Sequence, residues 1–472
     1  MRKKYPLGGD SLSPSPSAFS AQPPSTGPDN NLMKLFRIAT VPISLNILLN
    51  GQLRFLNKYF DVTAVSGSGN DLESVADREG VQTHSIRIKR KISIIHDVVS
   101  LFKLYFYFLR EKPLIIHSIT PKAGLLSMIA GKWAGVPIRM HTFTGLIFPY
   151  REGILKWVLV LMDRVLCKYA THVYPEGNGV REDLIRFGIT DKTLKVMADG
   201  NVNGIDTEHF SRDAVREEES DELRAKLGLS NNDFVFIFVG RLVKDKGIDE
   251  LVAAFNRLLL KTDAADEAGR VSLYRQNSET VHARSSGRDI AGGETDTLTM
   301  GKNLKLLLVG PLESKINGLS RATLAQIRSN PAIISVGFQS DVRSYFAVSD
   351  ALAFPSYREG FPNVVLQAGA MELPSIVTDI SGCNEIVTHG INGLCIPSKN
   401  SQKLEEAMFQ LLTRPESYQK MKQAARPLIE SRYQQSAVWK ALLEEYQANV
   451  AGLSGGQAVF NGLPHSTSFR SQ

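Results

Sequence analysis

Cysteine is scarce in this chain of 472 residues, which has only Cys167, Cys383 and Cys395. An odd number without metal-ligand spacing excludes a disulfide framework and a cysteine zinc site, and predicts a reduced, cytoplasmic setting. Long apolar runs are also missing. The longest one beside a helix-forming segment, 157–162, is bounded by Lys156 and Asp163 and is far too short to span a bilayer. At the start, Arg2, Lys3 and Lys4 lead into Pro, Ser and Gly rather than the apolar core of a signal peptide. The loop after the first predicted strand, Pro42 to Asn46, lacks G-x-G-x-x-G, which argues against a dinucleotide-dependent dehydrogenase. No Asp-x-Asp occurs anywhere.

The composition that remains, 43% hydrophobic and 22% charged, is that of a globular protein too long for one ordinary core. A formal charge of +7 favours an anionic partner: nucleotide, nucleic acid or an anionic membrane face. The basic residues are not interleaved in a nucleic-acid motif, which ranks nucleic acid third.

Residues 1–31 are rich in Ser, Pro and Gly and are expected not to fold. Strands are predicted at 35–41, 62–65, 114–119, 138–143 and 171–174, with helical segments between them, notably 123–134 and 153–170. Such alternation predicts a parallel sheet covered on both faces, in a first domain of 32–200. Residues 201–232 read as a connection. A second alternating series occupies 233–425, with strands at 234–239, 304–309, 333–336, 351–354, 375–378 and 394–396. Residues 261–302 interrupt it as a loop expected to be disordered. A terminal helix is predicted over 426–451, followed by an unfolded tail, 452–472.

Two doubly wound sheets facing each other make a cleft at their strands' carboxyl ends, and the chemistry-bearing residues fall there. Arg241 and Lys246 follow the first strand of the second domain, and Ser381 to Glu385 follow its fifth. The segment Tyr357-Arg358-Glu359-Gly360-Phe361-Pro362-Asn363 follows its fourth and opens a helix, with Pro362 expected at the first helical position. That turn aims free amides and a helix dipole at whatever lies above it, an arrangement suited to phosphate. Fixed cations beside it suit a diphosphate leaving group, on which charge builds as its bond to a sugar breaks.

The motifs FVGRLVKDKGIDELVAAF, LLLVG and SDALAFPSYREGFPNVVLQAGAMELPSIVTDISGCNEIV resemble the nucleotide-binding half of family 4 glycosyltransferases, retaining enzymes of the GT-B fold. TPKAGLLSMIAGKWAGVP, HTFTG and NVNGIDTEHF are similar to the acceptor-side half of the bacterial capsule and exopolysaccharide branch. The resemblance covers roughly 34–450, with the insertion as a gap. It implies an α/β GT-B architecture of two Rossmann-like domains, and transfer of a hexose or N-acetylhexosamine from a nucleotide-diphosphate sugar, most simply a UDP-sugar.

By the same resemblance, Arg241 and Lys246 would hold the diphosphate and Glu359 the hydroxyls of the transferred sugar. The amides of Gly360, Phe361, Pro362 and Asn363 form the loop assigned to sugar and phosphate, although Pro362 itself has no N–H. The family's second glutamate, on the ribose, falls on Gln367, which can hydrogen-bond a diol but carries no charge. His141, in HTFTG, would lie near the reacting centre; His117 would pack below the cleft. No metal or other cofactor is implied, because Arg and Lys supply the positive charge. Retention is implied, with inversion through His141 as general base the alternative. The acceptor would be a saccharide on a polyprenyl diphosphate at the inner face of the cytoplasmic membrane. Arg87, Lys89, Arg90 and Lys91, leading into the aromatic segment 101–109, suit a peripheral contact there, or else form a charged lead-in to a buried helix. Two rivals remain: a sugar-nucleotide epimerase, and a non-catalytic nucleotide-sugar-binding protein.

Overall fold

In the computed structural model, which describes residues 32–90, 93–262, 303–313 and 318–453, the chain forms two six-stranded sheets. The first contains β1 (Lys34–Ile38), β2 (Asp61–Ser66), β3 (Gln82–Ser85), β4 (Ile115–Ser118), β5 (Ile138–Phe143) and β6 (His172–Pro175), in the order β3-β2-β1-β4-β5-β6. The second contains β7 (Phe234–Val239), β8 (Leu304–Val309), β9 (Ile333–Gly337), β10 (Ala351–Phe354), β11 (Ser375–Thr378) and β12 (Gly393–Ile396), in the order β12-β11-β10-β7-β8-β9. Every pairing is parallel. This is the doubly wound α/β architecture expected of the sequence.

Central strands such as β7 are apolar at nearly every position because helices cover both their faces. One core of the first domain lies under helices Ile94–Glu111, Pro121–Trp133 and Gly153–Tyr169. The opposite face is completed from far along the chain by Leu442, Leu443, Tyr446 and Val450. These belong to helix Gln435–Leu453. The single helix expected over 426–451 is in fact two, Pro415–Tyr433 and Gln435–Leu453. The break is where the chain leaves the second domain and returns to the first. There the Ile205 amide donates to the Tyr433 carbonyl (2.8 Å) and the Gln435 amide donates to the Ile205 carbonyl (3.0 Å), so the two crossings run side by side.

The segment expected to be a mere connection carries a helix, Glu217–Leu227. Before it, the Arg212 guanidinium reaches the carbonyls of Met371, Ala347 and Ser349, fastening this stretch to the second domain. Strand β3 was not anticipated. It is an edge strand with half-exposed side chains, so its sequence, QTHS, shows no apolar run. The expected tails and insertion, apart from the helical ends 261–262 and 452–453, lie outside the described residues, as does Lys91.

Candidate active site

Each sheet reverses its strand order once, between β1 and β4 in the first and between β7 and β10 in the second. Adjacent loops part at such a point and leave a crevice beyond the strand ends. In the second domain those loops carry Arg241, Lys246 and Glu359. After β7 the chain makes a short turn, Lys244–Lys246, and continues into a helix over 248–262. Lys246 Nζ pairs with Glu359 Oε1, with only 18% and 14% of the two side chains exposed. The two loops are further tied by Arg358 on Asp245 (2.9 Å), the Tyr357 amide on the Asp245 carbonyl (2.9 Å) and the Tyr357 hydroxyl on Glu250 (2.6 Å). Arg241 does not join them: it stands at the rim, half-exposed, on Glu313 at 3.1 Å.

The helix after Glu359 is Asn363–Ala370, and Pro362 is its N-cap (φ −75°, ψ 108°) rather than its first residue. An N-cap proline still gives up no hydrogen bond, so the cost is the same. Phe361 is buried and packs edge-on against Tyr433, with ring centroids 5.5 Å apart, so its side chain anchors the loop. Asn363 Oδ1 accepts from Asn201, the first residue after the first domain, at 2.8 Å. Gln367 is half-buried about one turn along the helix.

Gly360 is one point where the domains touch. A Cβ there would lie 2.5 Å from the Thr144 carbonyl and 3.0 Å from the Glu176 carboxylate. Gly382, at φ +78°, backs the same loop, and a Cβ on it would lie 2.1 Å from the Gly360 carbonyl. Both positions therefore require glycine, Gly382 for its left-handed backbone as well. A few residues on, the Glu385 carboxylate crosses between the domains. It accepts from the amides of Asn178 (2.5 Å) and Gly179 (3.0 Å) at the start of helix Asn178–Arg186.

The structure does not bring His141 to this crevice. Its ring is fully buried beneath the helices, Nδ1 is 2.8 Å from Ser118 Oγ, and the ring lies edge-on to Phe143. A Cβ on Gly124 of helix Pro121–Trp133 would lie 2.6 Å from it. Burial lowers its pKa to about 3, so it is neutral at any physiological pH. Strand alternation turns it towards the helix layer; the residues of HTFTG that reach the cleft are Thr144 and Gly145. His117 packs below the floor. Its Nε2 is 2.8 Å from Thr142 Oγ1, and its Nδ1 is 3.0 Å from Arg37 Nη1 and 2.6 Å from the Tyr446 hydroxyl. Burial lowers its pKa as well.

Sequence reasoning missed Glu176, a lone carboxylate directly after β6. The only available signal was its place at a strand's carboxyl end in PEGNG. Among the described residues no group of three or more His, Cys, Asp or Glu is placed to hold a metal ion.

Two family profiles match, one to each half of the chain: "Glycosyl transferase 4-like domain" over 57–200 and "Glycosyl transferases group 1" over 295–427. The chain belongs to the family 4 glycosyltransferases. This glycosyltransferase is 29% identical to the capsular polysaccharide biosynthesis glycosyltransferase CapM of Staphylococcus aureus, over 88% of its own length and 96% of that protein. It is 25% identical to the UDP-Gal:alpha-D-GlcNAc-diphosphoundecaprenol alpha-1,3-galactosyltransferase of Escherichia coli, over 72% and 77% of the two chains. Among solved structures, HepE of Anabaena in complex with UDP-glucose superposes with a TM-score of 0.67 at 16% identity, covering 88% of this chain and all of that one. At that identity the likeness concerns the fold, which is GT-B.

Proposed function

We propose that this glycosyltransferase moves a hexose or N-acetylhexosamine from a UDP-sugar to a saccharide carried on a polyprenyl diphosphate, with retention of configuration, in cell-surface polysaccharide biosynthesis. The observation that carries the reading is the Lys246–Glu359 pair at the switch point of the second sheet, on a loop whose next residue, Gly360, faces Thr144 and Glu176 of the first domain. Such a site offers a cation for a diphosphate and a carboxylate for sugar hydroxyls side by side. The names of the S. aureus and E. coli relatives support the polysaccharide setting, the UDP-sugar donor and the lipid-linked acceptor.

In this reading Lys246 leaves Glu359 for the donor's diphosphate, Arg241 swings in from the rim, and Glu359 takes up hydroxyls of the sugar. No metal is invoked, since two cations beside a helix N-terminus meet the charge that develops on the leaving group. The acceptor hydroxyl attacks from the face the diphosphate leaves, and a diphosphate oxygen takes its proton. The inverting alternative rested on His141 as base, and that ring is buried away from the cleft.

The acceptor's lipid suggests a peripheral membrane contact on the cytoplasmic side. Ile94, Ile95 and Phe106 of helix Ile94–Glu111 and Ile154, Trp157 and Leu161 of helix Gly153–Tyr169 are all 62–83% exposed. These helices flank helix Pro121–Trp133 on one side of the first sheet, and Arg87 and Arg90 are exposed beside them. Exposed apolar side chains among cations suit an anionic bilayer. Among the described residues no helix is long and apolar enough to cross one.

The test is incubation with a panel of UDP-, GDP- and ADP-sugars and a polyprenyl-diphosphate-linked saccharide. Release of UDP with addition of one sugar, insensitive to chelator, is expected. Loss of activity on chelation would contradict the metal-free chemistry. Nucleotide binding with neither transfer nor hydrolysis would instead favour a binding protein.

A further inference from the structure

The backbone of Glu176 is fixed between the two halves of the first domain's rim: its amide donates to the Phe143 carbonyl (3.0 Å) and its carbonyl accepts from Asn201 (2.9 Å). The side chain is buried, 6% exposed, and Gly360 of the second domain closes over it. The Val202 amide acts on its carboxylate in the opposite sense to burial, lowering its pKa. Facing it from the second domain are two further carboxylates, Glu359 and Glu385. A small cavity is lined by Glu176 together with Arg37 of β1, His117 of β4, Thr142, Asn201 and Val202. Arg37 is engaged there with His117 and the Tyr446 hydroxyl.

We propose that Glu176 is a positioning residue that couples closure of the cleft to uptake of one proton, its neutral carboxyl letting Gly360, and with it Glu359, seat against the first domain. The inference rests on the proposed function only in taking the Glu359 loop as the part that closure positions. The physical cause lies in the contact. Burial, and behind it the charges of Glu385 and Glu359, push the carboxyl up to about 8 against the opposing effect of the Val202 amide. When the domains part, Gly360 no longer covers it, both carboxylates recede, and it returns towards the ordinary carboxylate range. A group whose proton affinity rises on closing favours the closed form at low pH. That advantage is lost progressively as pH climbs from the ordinary carboxylate range to about 8, and beyond it the penalty for closing is constant.

Small-angle scattering of the full chain between pH 6 and 9, without nucleotide, tests this, with UDP calorimetry across the same range. The radius of gyration is expected to grow with pH in the wild type and Glu176→Asp, and to stay at its compact value in Glu176→Gln. Apparent UDP affinity should fall by up to about tenfold per pH unit in the wild type, the limit for one coupled proton, and less steeply in Glu176→Gln. A wild-type radius indifferent to pH, or a Glu176→Gln variant that follows the wild type, overturns the coupling. A merely structural role would lower the melting temperature of Glu176→Gln without removing the pH dependence. Because scattering needs no nucleotide, absence of UDP binding would strike the proposed function and leave the coupling to be judged on the radius.

Discussion

Lys246 and Glu359 form an ion pair in which each holds the other in place, and in the proposed reading a ligand that supplies both a phosphate and hydroxyls separates them. Lys246→Ala removes a charge-assisted hydrogen bond, worth about 1.5–3 kcal/mol, and leaves Glu359 without its partner. UDP affinity should fall roughly 10- to 100-fold by calorimetry; unchanged affinity would move the diphosphate elsewhere. Gln367 sits half-buried on the helix that follows, and Gln367→Glu should be tolerated or tighten UDP if that side chain meets the ribose. Loss of folding in that variant would mean that the site cannot hold a charge. These residues were legible because they lie in loops directly after strong apolar strands. His141 was legible as a residue but not in its direction: a strand turns alternate side chains to opposite faces, and its own goes to Gly124 and Ser118. Glu176 stood alone in the sequence, and only the folded contact with Gly360 shows what surrounds it.

Among the elements, the strands Ile138–Phe143, Phe234–Val239, Leu304–Val309, Ala351–Phe354 and Ser375–Thr378 have in the structure the bounds read from the sequence. Burial on both faces keeps them rich in apolar residues, wholly so in FVFIFV and ALAF, and that makes them stand out. The edge strand Gln82–Ser85 carries no such stamp, and the break after Tyr433 is imposed by where the chain must cross. Helix Asn178–Arg186 depends on a partner that its own segment does not contain: with Gly177 as its N-cap, it has no side-chain cap of its own, and Glu385 of the other domain serves instead. Glu385→Ala should cost about 0.5–2 kcal/mol, as loss of an N-cap does, seen as a lower melting temperature. Its effect on the contact between the domains should also raise protease sensitivity near 176–179. A variant as stable and as resistant as the wild type would show that the cap is replaced by water.

At the scale of the whole molecule, the two sheets are legible from the alternation of strands and helices, whereas the return of helix Gln435–Leu453 to the first domain is not, because its partners lie some 400 residues earlier. The same holds for the exposed apolar face. The segment 101–109 divides between Leu104 and Phe108, which are buried, and Phe102 and Phe106, which are exposed, and the lead-in to the second helix of that face has only Arg151, beside Glu152, in place of a basic cluster. Replacing Phe106 and Trp157 by Ser should weaken binding to vesicles containing phosphatidylglycerol while leaving the melting temperature nearly unchanged, since both side chains already face water. Equal binding by this variant would remove the face as the anchor. The central claim is that the crevice at Glu359 holds the sugar being transferred, and comparing Glu359→Ala with the wild type in donor turnover and in UDP affinity tests it most directly. Turnover is predicted to drop about 100-fold or more with UDP affinity nearly intact, whereas turnover at the wild-type rate would contradict it.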